Sequence, residues 1–187
     1  MKRVCSILLA VICVGASAQA NDIFKIDPAH STIGFKVRHM LGTARGKFSK
    51  FSGTIVVDRD HPEQSSVIVT IDAASIDTGI AKRDEHLRGE LFNVAQYPES
   101  TFKSRGVKQT GANAGEISGD LTMHGVIRGI VLNVQLLSTA DEGRWRVTTT
   151  PLKRNQFGLL FSKSAETVSM IADDVALEIE IGAQRVK

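Results

Sequence analysis

Near its C-terminus the chain alternates without a break: Val175, Leu177, Ile179 and Ile181 are separated by Ala176, Glu178 and Glu180. A period of two gives a strand with one buried and one wet face. The same period recurs at Ile33, Phe35 and Val37, at Phe51, Gly53, Ile55 and Val57, and at Val67, Val69 and Ile71. It returns at Ile117, Gly119, Leu121 and Met123, at Ile130, Leu132, Val134 and Leu136, and at Trp145 and Val147. Antiparallel sheets carry this pattern, whereas parallel sheets covered on both faces do not.

Turn chemistry separates these stretches. Asp58-Arg59-Asp60-His61-Pro62, residues 110–115 and Ala140-Asp141-Glu142-Gly143 are rich in turn formers. Many short strands joined by turns indicate an all-β sandwich or an up-and-down barrel. Gly34, Gly53 and Gly119 interrupt strong strands, which marks a bulge, a bend or the close approach of another group and favours a closed, curved sheet. One segment departs from the pattern. Ile80, Leu87 and Leu91 sit at helical spacing among Lys82, Arg83, Glu85 and Arg88. They predict a short helical excursion over residues 80–96, capped at Asp77 or Thr78 and ending before Tyr97-Pro98. A strand resumes over Thr101 to Val107. Nothing in the composition marks a linker or repeat, so residues 21–187 read as one domain.

Residues 1–20 read as a secretory signal peptide: Met1-Lys2-Arg3, an apolar run from Val4 to Ala16, then Ala18-Gln19-Ala20 as a cleavage site. The run is short for a membrane anchor, which needs ~20 residues. Ile12 before Cys13 is too bulky for a lipoprotein signal. Export to the periplasm is therefore expected, with cleavage after Ala20. Both cysteines, Cys5 and Cys13, leave with the signal, so the stability of the remaining chain rests on its core. The formal charge of +3 for the whole sequence loses Lys2 and Arg3 in the same step. A near-neutral domain without a basic run gives no reason to expect nucleic acid as a partner.

Catalytic signatures are weak. His30, His39, His61, His86 and His124 are the titratable candidates, with Asp84 as a carboxylate partner. There is no Gly-x-Ser-x-Gly elbow and no phosphate-binding glycine loop. Asp84-x-His86 is a poor metal pair, because side chains two apart on a helix do not face each other. Histidines at strand ends or on the surface are the simpler reading. No metal or cofactor is expected.

The ordered motifs do resemble a known family. Asp27-Pro28-Ala29-His30-Ser31, residues 34–40, Arg45-Gly46-Lys47-Phe48 and Phe51-Ser52-Gly53 are similar to the opening of the YceI-like family. The similarity continues through residues 71–79, Arg83-Asp84-Glu85-His86-Leu87, Tyr97-Pro98, Thr101-Phe102-Lys103-Ser104 and residues 119–126. Departures fall at Leu91-Phe92-Asn93, Ile127-Arg128-Gly129 and Asn155-Gln156. The resemblance implies a lipocalin-like antiparallel β-barrel of about eight strands. It also implies a periplasmic, non-enzymatic role in holding a polyisoprenoid, either an isoprenoid quinone or a prenyl phosphate.

On that reading the expected lumen wall is Phe35, Val37, Phe48, Phe51, Phe102, Met123, Leu132 and Phe157, with Phe92 at the mouth. Arg83, His86 and Arg154 are the candidates for the head group, arginine being suited to phosphate or quinone oxygens. In a sealed barrel the same phenylalanines would be filler, and the arginines would be ordinary surface ion pairs. The expected partner is an apolar isoprenoid-type ligand; transient membrane contact and a homodimer stay open. Two rivals remain: a periplasmic hydrolase with an ordered Ser–His–Asp set, and a structural module with a filled barrel.

Overall fold

A computed structural model describes residues 21–139, 142–161 and 170–186. The expected signal peptide lies outside the described residues, as does the first half of the turn expected at Ala140–Gly143.

Among the described residues twelve strands form one antiparallel sheet. They are β1 (Asp22–Ile26), β2 (Thr32–His39), β3 (Gly42–Phe48), β4 (Phe51–Val57), β5 (Ser66–Asp72), β6 (Ile76–Asp77), β7 (Glu99–Gly111), β8 (Ala114–Met123), β9 (Val126–Thr139), β10 (Glu142–Thr148), β11 (Leu152–Lys153) and β12 (Asp174–Arg185). Three staves are each made of two collinear strands: β1 with β2, β3 with β4, and β5 with β6. In the first, β1 and β2 share one edge of β12, with Phe24 opposite Arg185 and Phe35 opposite Leu177. The sheet therefore closes as an eight-stranded up-and-down barrel.

The breaks in these staves share one latitude. Asp27 turns the first, its carboxylate accepting from the Ala29 N–H at 2.9 Å, and Pro28 begins a 3₁₀ turn. The second stave breaks at Ser49-Lys50 and the third at Ala73–Ser75. These two are bonded to each other, through Ser49 N–H to the Ser75 carbonyl at 3.1 Å and Lys50 N–H to the Ser75 hydroxyl at 3.1 Å. The resulting crease bends the sheet.

The in-strand glycines have a common explanation. A Cβ on Gly119 would lie 2.5 Å from Cζ of Phe102, on the next strand, and one on Gly46 would lie 2.4 Å from Cζ of Phe35. Each glycine leaves the floor on which a neighbouring ring lies flat. Gly53 gives way to Ile26 in the same manner, its missing Cβ 2.7 Å from Cδ1. Gly34 has its nearest neighbour in the Glu178 carbonyl, at 3.2 Å, and so sits where backbone approaches closely.

The excursion is helical, but it is shorter than expected and capped differently. The α-helix α1 covers Ala81–His86 and continues as one π-helical turn, Leu87–Leu91. Past Phe92, Asn93 takes φ +44°, and residues 94–96 form a turn rather than helix. Neither Asp77 nor Thr78 caps α1; Ile80 holds that position without a side-chain bond. Asp77 instead accepts from Gly79 N–H at 2.9 Å, and Asp84 reaches back to Thr78. The π turn is closed by Phe92 N–H to the Leu87 carbonyl at 2.8 Å. Its extra residue brings Leu87, Leu91 and Phe92 onto the barrel, where all three are buried.

Candidate functional site: the barrel interior

The inward face of the sheet is packed unevenly. At one end, by the β7–β8 hairpin and the turn after β4, Phe24, Trp145, Ile181 and Ala183 form a tight plug, with Phe24 and Trp145 edge to face at 5.4 Å. At the other end Leu87, Leu91 and Phe92 of the excursion pack on Ala73, Ile76, Phe102, Leu121, Phe157 and Leu159. Phe48 belongs to the margins of both clusters and lies 5.9 Å from Phe35 and from Phe92.

Between and above these clusters the inward side chains are only partly covered. Along β12, Ala183 and Ile181 are buried, while Ile179, Leu177 and Val175 are only half-buried. The inward residues of β9, Ile130, Leu132, Val134 and Leu136, are half-buried, and so are Phe35 and Val37 on β2. Ile130, Leu132 and Phe35 pack at the margin of the excursion cluster and Val134, Leu136 and Ile179 at that of the plug, whereas Val37, Leu177 and Val175 belong to neither. These side chains point away from the outer surface, so the area they keep faces the lumen. A filled core would bury them. The least covered part lies at the upper ends of β12 and β2, around Val175, Leu177 and Val37.

The wall has a slot on that open side. Strand β10 pairs with β9 only from Asn133 onward, and above it the two-residue β11, with Leu152 opposite Val175, is paired to β12 but not to β9. The 3₁₀ turn Arg154–Phe157 occupies the slot, and Phe157, 2% exposed, fills it. Arg154 anchors the surrounding chain. Its guanidinium donates to the Leu159 carbonyl at 2.8 Å, Ala172 at 3.1 Å and Ile171 at 3.2 Å, and it lies over the Phe161 ring.

The expected wall residues thus divide by role. Phe35, Val37, Phe48, Met123 and Leu132 are half-buried. Phe51, Phe92, Phe102 and Phe157 are buried in the two clusters. Sequence reasoning overlooked Val175, Leu177 and Ile130, although their alternation was the clearest signal in the chain; aromatic bulk drew attention from the aliphatic side chains that border open space. Of the polar candidates, Arg83 donates to the Thr78 hydroxyl at 2.7 Å and to its carbonyl at 3.0 Å. That hydroxyl donates in turn to the buried Asp84 at 2.5 Å. His86 is exposed, 3.2 Å from Glu90 and stacked on Phe161 at 6.1 Å. Arg83 and His86 share a helix at the excursion end; Arg154 approaches them through Phe161.

Asp27, His30 and Ser31 bring the three residue types of a hydrolase together, but not in its geometry. His30 Nδ1 lies 2.7 Å from the Asp27 carboxylate. The Ser31 hydroxyl instead lies 2.7 Å from the Asp27 carbonyl and 3.0 Å from both backbone polar atoms of Gly182. It ties the crease to β12. The contact lowers the Asp27 pKa and raises that of His30, each chiefly through the shared side-chain hydrogen bond.

A closed barrel of eight antiparallel strands, plugged at one end and incompletely filled behind a short helical cover, defines a small lipocalin-like β-barrel. The YceI-like domain model matches residues 24–183, and the chain belongs to that family. It is 33% identical over 177 residues to the UPF0312 protein of Ectopseudomonas mendocina, covering 89% of this chain and 92% of that one. With Protein YceI of Escherichia coli it shares 38% identity over 130 residues, 67% of each chain. The crystal structure of Burkholderia cenocepacia BcnA matches with a TM-score of 0.79 at 27% identity, over 85% of this chain and 99% of that one. The fold is also that of a polyisoprenoid binding domain from Saccharophagus degradans implicated in plant cell wall breakdown, with a TM-score of 0.65 at 23% identity, over 87% and 98% of the two chains.

Proposed function

We propose that the protein is exported to the periplasm and there holds one isoprenoid-type lipid, a quinone or a prenyl phosphate, in the barrel as a carrier or buffer. It needs no cofactor and catalyses no reaction. The observation that carries this reading is the partly uncovered inward face at the upper ends of β12 and β2, where the half-buried Val175, Leu177 and Val37 join neither packed cluster. Membership of the YceI-like family and a fold shared with a polyisoprenoid binding domain support it.

Energetics favour exchange over extraction. A prenyl tail gains ~0.8 kcal/mol per CH₂ on leaving water, but its usual source is a bilayer whose core is equally apolar. Tail burial relative to a membrane is close to neutral, and selection falls to lumen shape and to polar groups at the open end. A stave of ~10 residues tilted ~40° spans about 25 Å, so a longer tail folds back or emerges. Phe35, Val37, Met123 and Leu132, with Leu177 and Val175, are the proposed tail contacts, and Arg83 and His86 the proposed head-group contacts. Arg154, held on backbone carbonyls, takes a framing part.

Native mass spectrometry of the purified protein, followed by organic extraction, tests this reading. A prenyl species at one per chain is the expected result. A protein that is empty and also refuses added quinone and prenyl phosphate would exclude it. Arg83→Gln then separates the two ligands, weakening the phosphate at least tenfold and the quinone little.

A further inference from the structure

The β2–β3 hairpin ends in a tip that turn chemistry does not explain. Met40 and Leu41 form its two-residue loop between the paired His39 and Gly42, and they are 59% and 86% exposed. Tight hairpin loops favour Asn, Asp and Gly. Here Gly42, at φ +144°, supplies the unusual backbone angle, leaving two large apolar side chains in solvent. The β8–β9 hairpin, by contrast, turns on His124-Gly125, at φ +51° and +74°.

The surroundings of the tip point to one kind of partner. The outer face of the hairpin carries Lys36, Arg38, Arg45 and Lys47, one pleat apart on paired strands. Lys36 pairs with Glu178. Lys47, at the far end of the hairpin from the tip, stands opposite Asp77 of β6. Among the described residues no carboxylate lies within ion-pair distance of Arg38 or Arg45, and both are exposed. Met170 and Leu160, 66% and 56% exposed, join the same sector. The Ala172 N–H bonds the Arg38 carbonyl at 2.9 Å, and Arg154 ties residues 159 and 172 together. This sector borders the open side of the lumen, where Val37 and Val175 face each other across β2 and β12.

We propose that this end of the barrel docks on an anionic phospholipid bilayer. Met40 and Leu41 enter the boundary between head groups and acyl chains, while Arg38 and Arg45 lie against lipid phosphates. An apolar tip backed by two cations that, among the described residues, have no carboxylate within ion-pair distance is complementary to that surface and to few others. It would set the lumen mouth against the lipid store. The inference rests on the carrier reading for its purpose but not for its test.

The full chain, expressed and processed in its host, is sedimented with vesicles of phosphatidylethanolamine alone and with vesicles containing a third phosphatidylglycerol. Binding to the anionic vesicles, weakened by salt, is expected. Each cation at the surface is worth roughly fivefold, so Arg38→Glu with Arg45→Glu lowers partitioning at least twentyfold. Met40→Ser with Leu41→Ser lowers it at least tenfold, and the circular dichroism of both variants is unchanged. Uptake of a fluorescent prenyl probe is followed in parallel without vesicles. Normal uptake with no vesicle binding, or equal binding by wild type and both variants, overturns the docking while leaving the carrier. Vesicle binding with no uptake retains the docking and removes the carrier. A concentration-dependent dimer that is lost in Met40→Ser with Leu41→Ser, in place of vesicle binding, would assign the tip to a second copy and overturn the proposal.

Discussion

Gly119 and Gly89 make a controlled pair. At Gly119 a methyl group would collide with the Phe102 ring and, at 2.6 Å, with the Lys103 carbonyl. Backbone cannot give way as a side chain does, so Gly119→Ala should cost about 1–3 kcal/mol in urea unfolding. At Gly89, in the π turn, a Cβ would meet nothing within 4 Å, and Gly89→Ala should be neutral or stabilising by about 0.5–1 kcal/mol. The crease offers a second residue-scale test. His30 titrates above its ordinary value because Asp27 accepts its hydrogen bond, and Asp27 below its own for the same reason. The stabilisation from a raised histidine is complete below its unfolded pKa and is lost as pH rises through the folded one. That from a lowered carboxylate is present above its unfolded pKa and is lost as pH falls through the folded one. The pair therefore contributes most in the acid range between the two titrations. Proton NMR should show the His30 shift disappearing in Asp27→Asn.

Among elements, the 3₁₀ turn Arg154–Phe157 has the greatest leverage. Arg154 bonds carbonyls on both sides of residues 162–169, and charge-assisted bonds of this kind contribute about 1.5–3 kcal/mol. Arg154→Ala should destabilise the fold by about 2 kcal/mol and speed amide exchange around residues 154–160 and 170–173. Arg154→Lys should not restore it, because an ammonium lacks the planar fork. The strands and the excursion were legible in the sequence, since alternation and helical spacing are local consequences of burying one face. What was not legible was set by tertiary contact. Asp84 displaced the expected cap because Thr78 offered it two donors inside the fold. Arg154 presents itself in sequence as a surface charge, yet it is 7% exposed, because the carbonyls it bonds at Ile171 and Ala172 lie well beyond it along the chain. The phenylalanines could be assigned to the interior from their positions; which ones are buried in a cluster and which stay half-buried was set by packing across the barrel, since Phe102 and Phe35 both lie on a glycine yet differ in burial.

For the molecule as a whole, the decisive quantity is unfilled volume. Substituting Leu177→Trp puts a large ring into the open part of the lumen. The thermal midpoint should hold or rise, because the ring gains contacts where Leu177 now has few, while lipid uptake falls at least tenfold. A loss of more than about 2 kcal/mol would instead reveal an interior already packed. An extracted lipid, added back at a hundred times its dissociation constant, should stabilise the fold by about 2.7 kcal/mol through mass action alone.

The crease has one more consequence. Three neighbouring staves change direction at the same height, where side-chain bonds at Asp27, Ser31 and Ser75 join backbone ones from Asp27 N–H to the Gly182 carbonyl and from Ser49 N–H to the Ser75 carbonyl. Strand β12 passes that height unbroken, paired with β1 on one side of it and with β2 on the other. The panel of β2, β3 and β6 and the plugged half around Phe24 and Trp145 are thus two leaves of one folded page, set at different angles yet bound to a single spine.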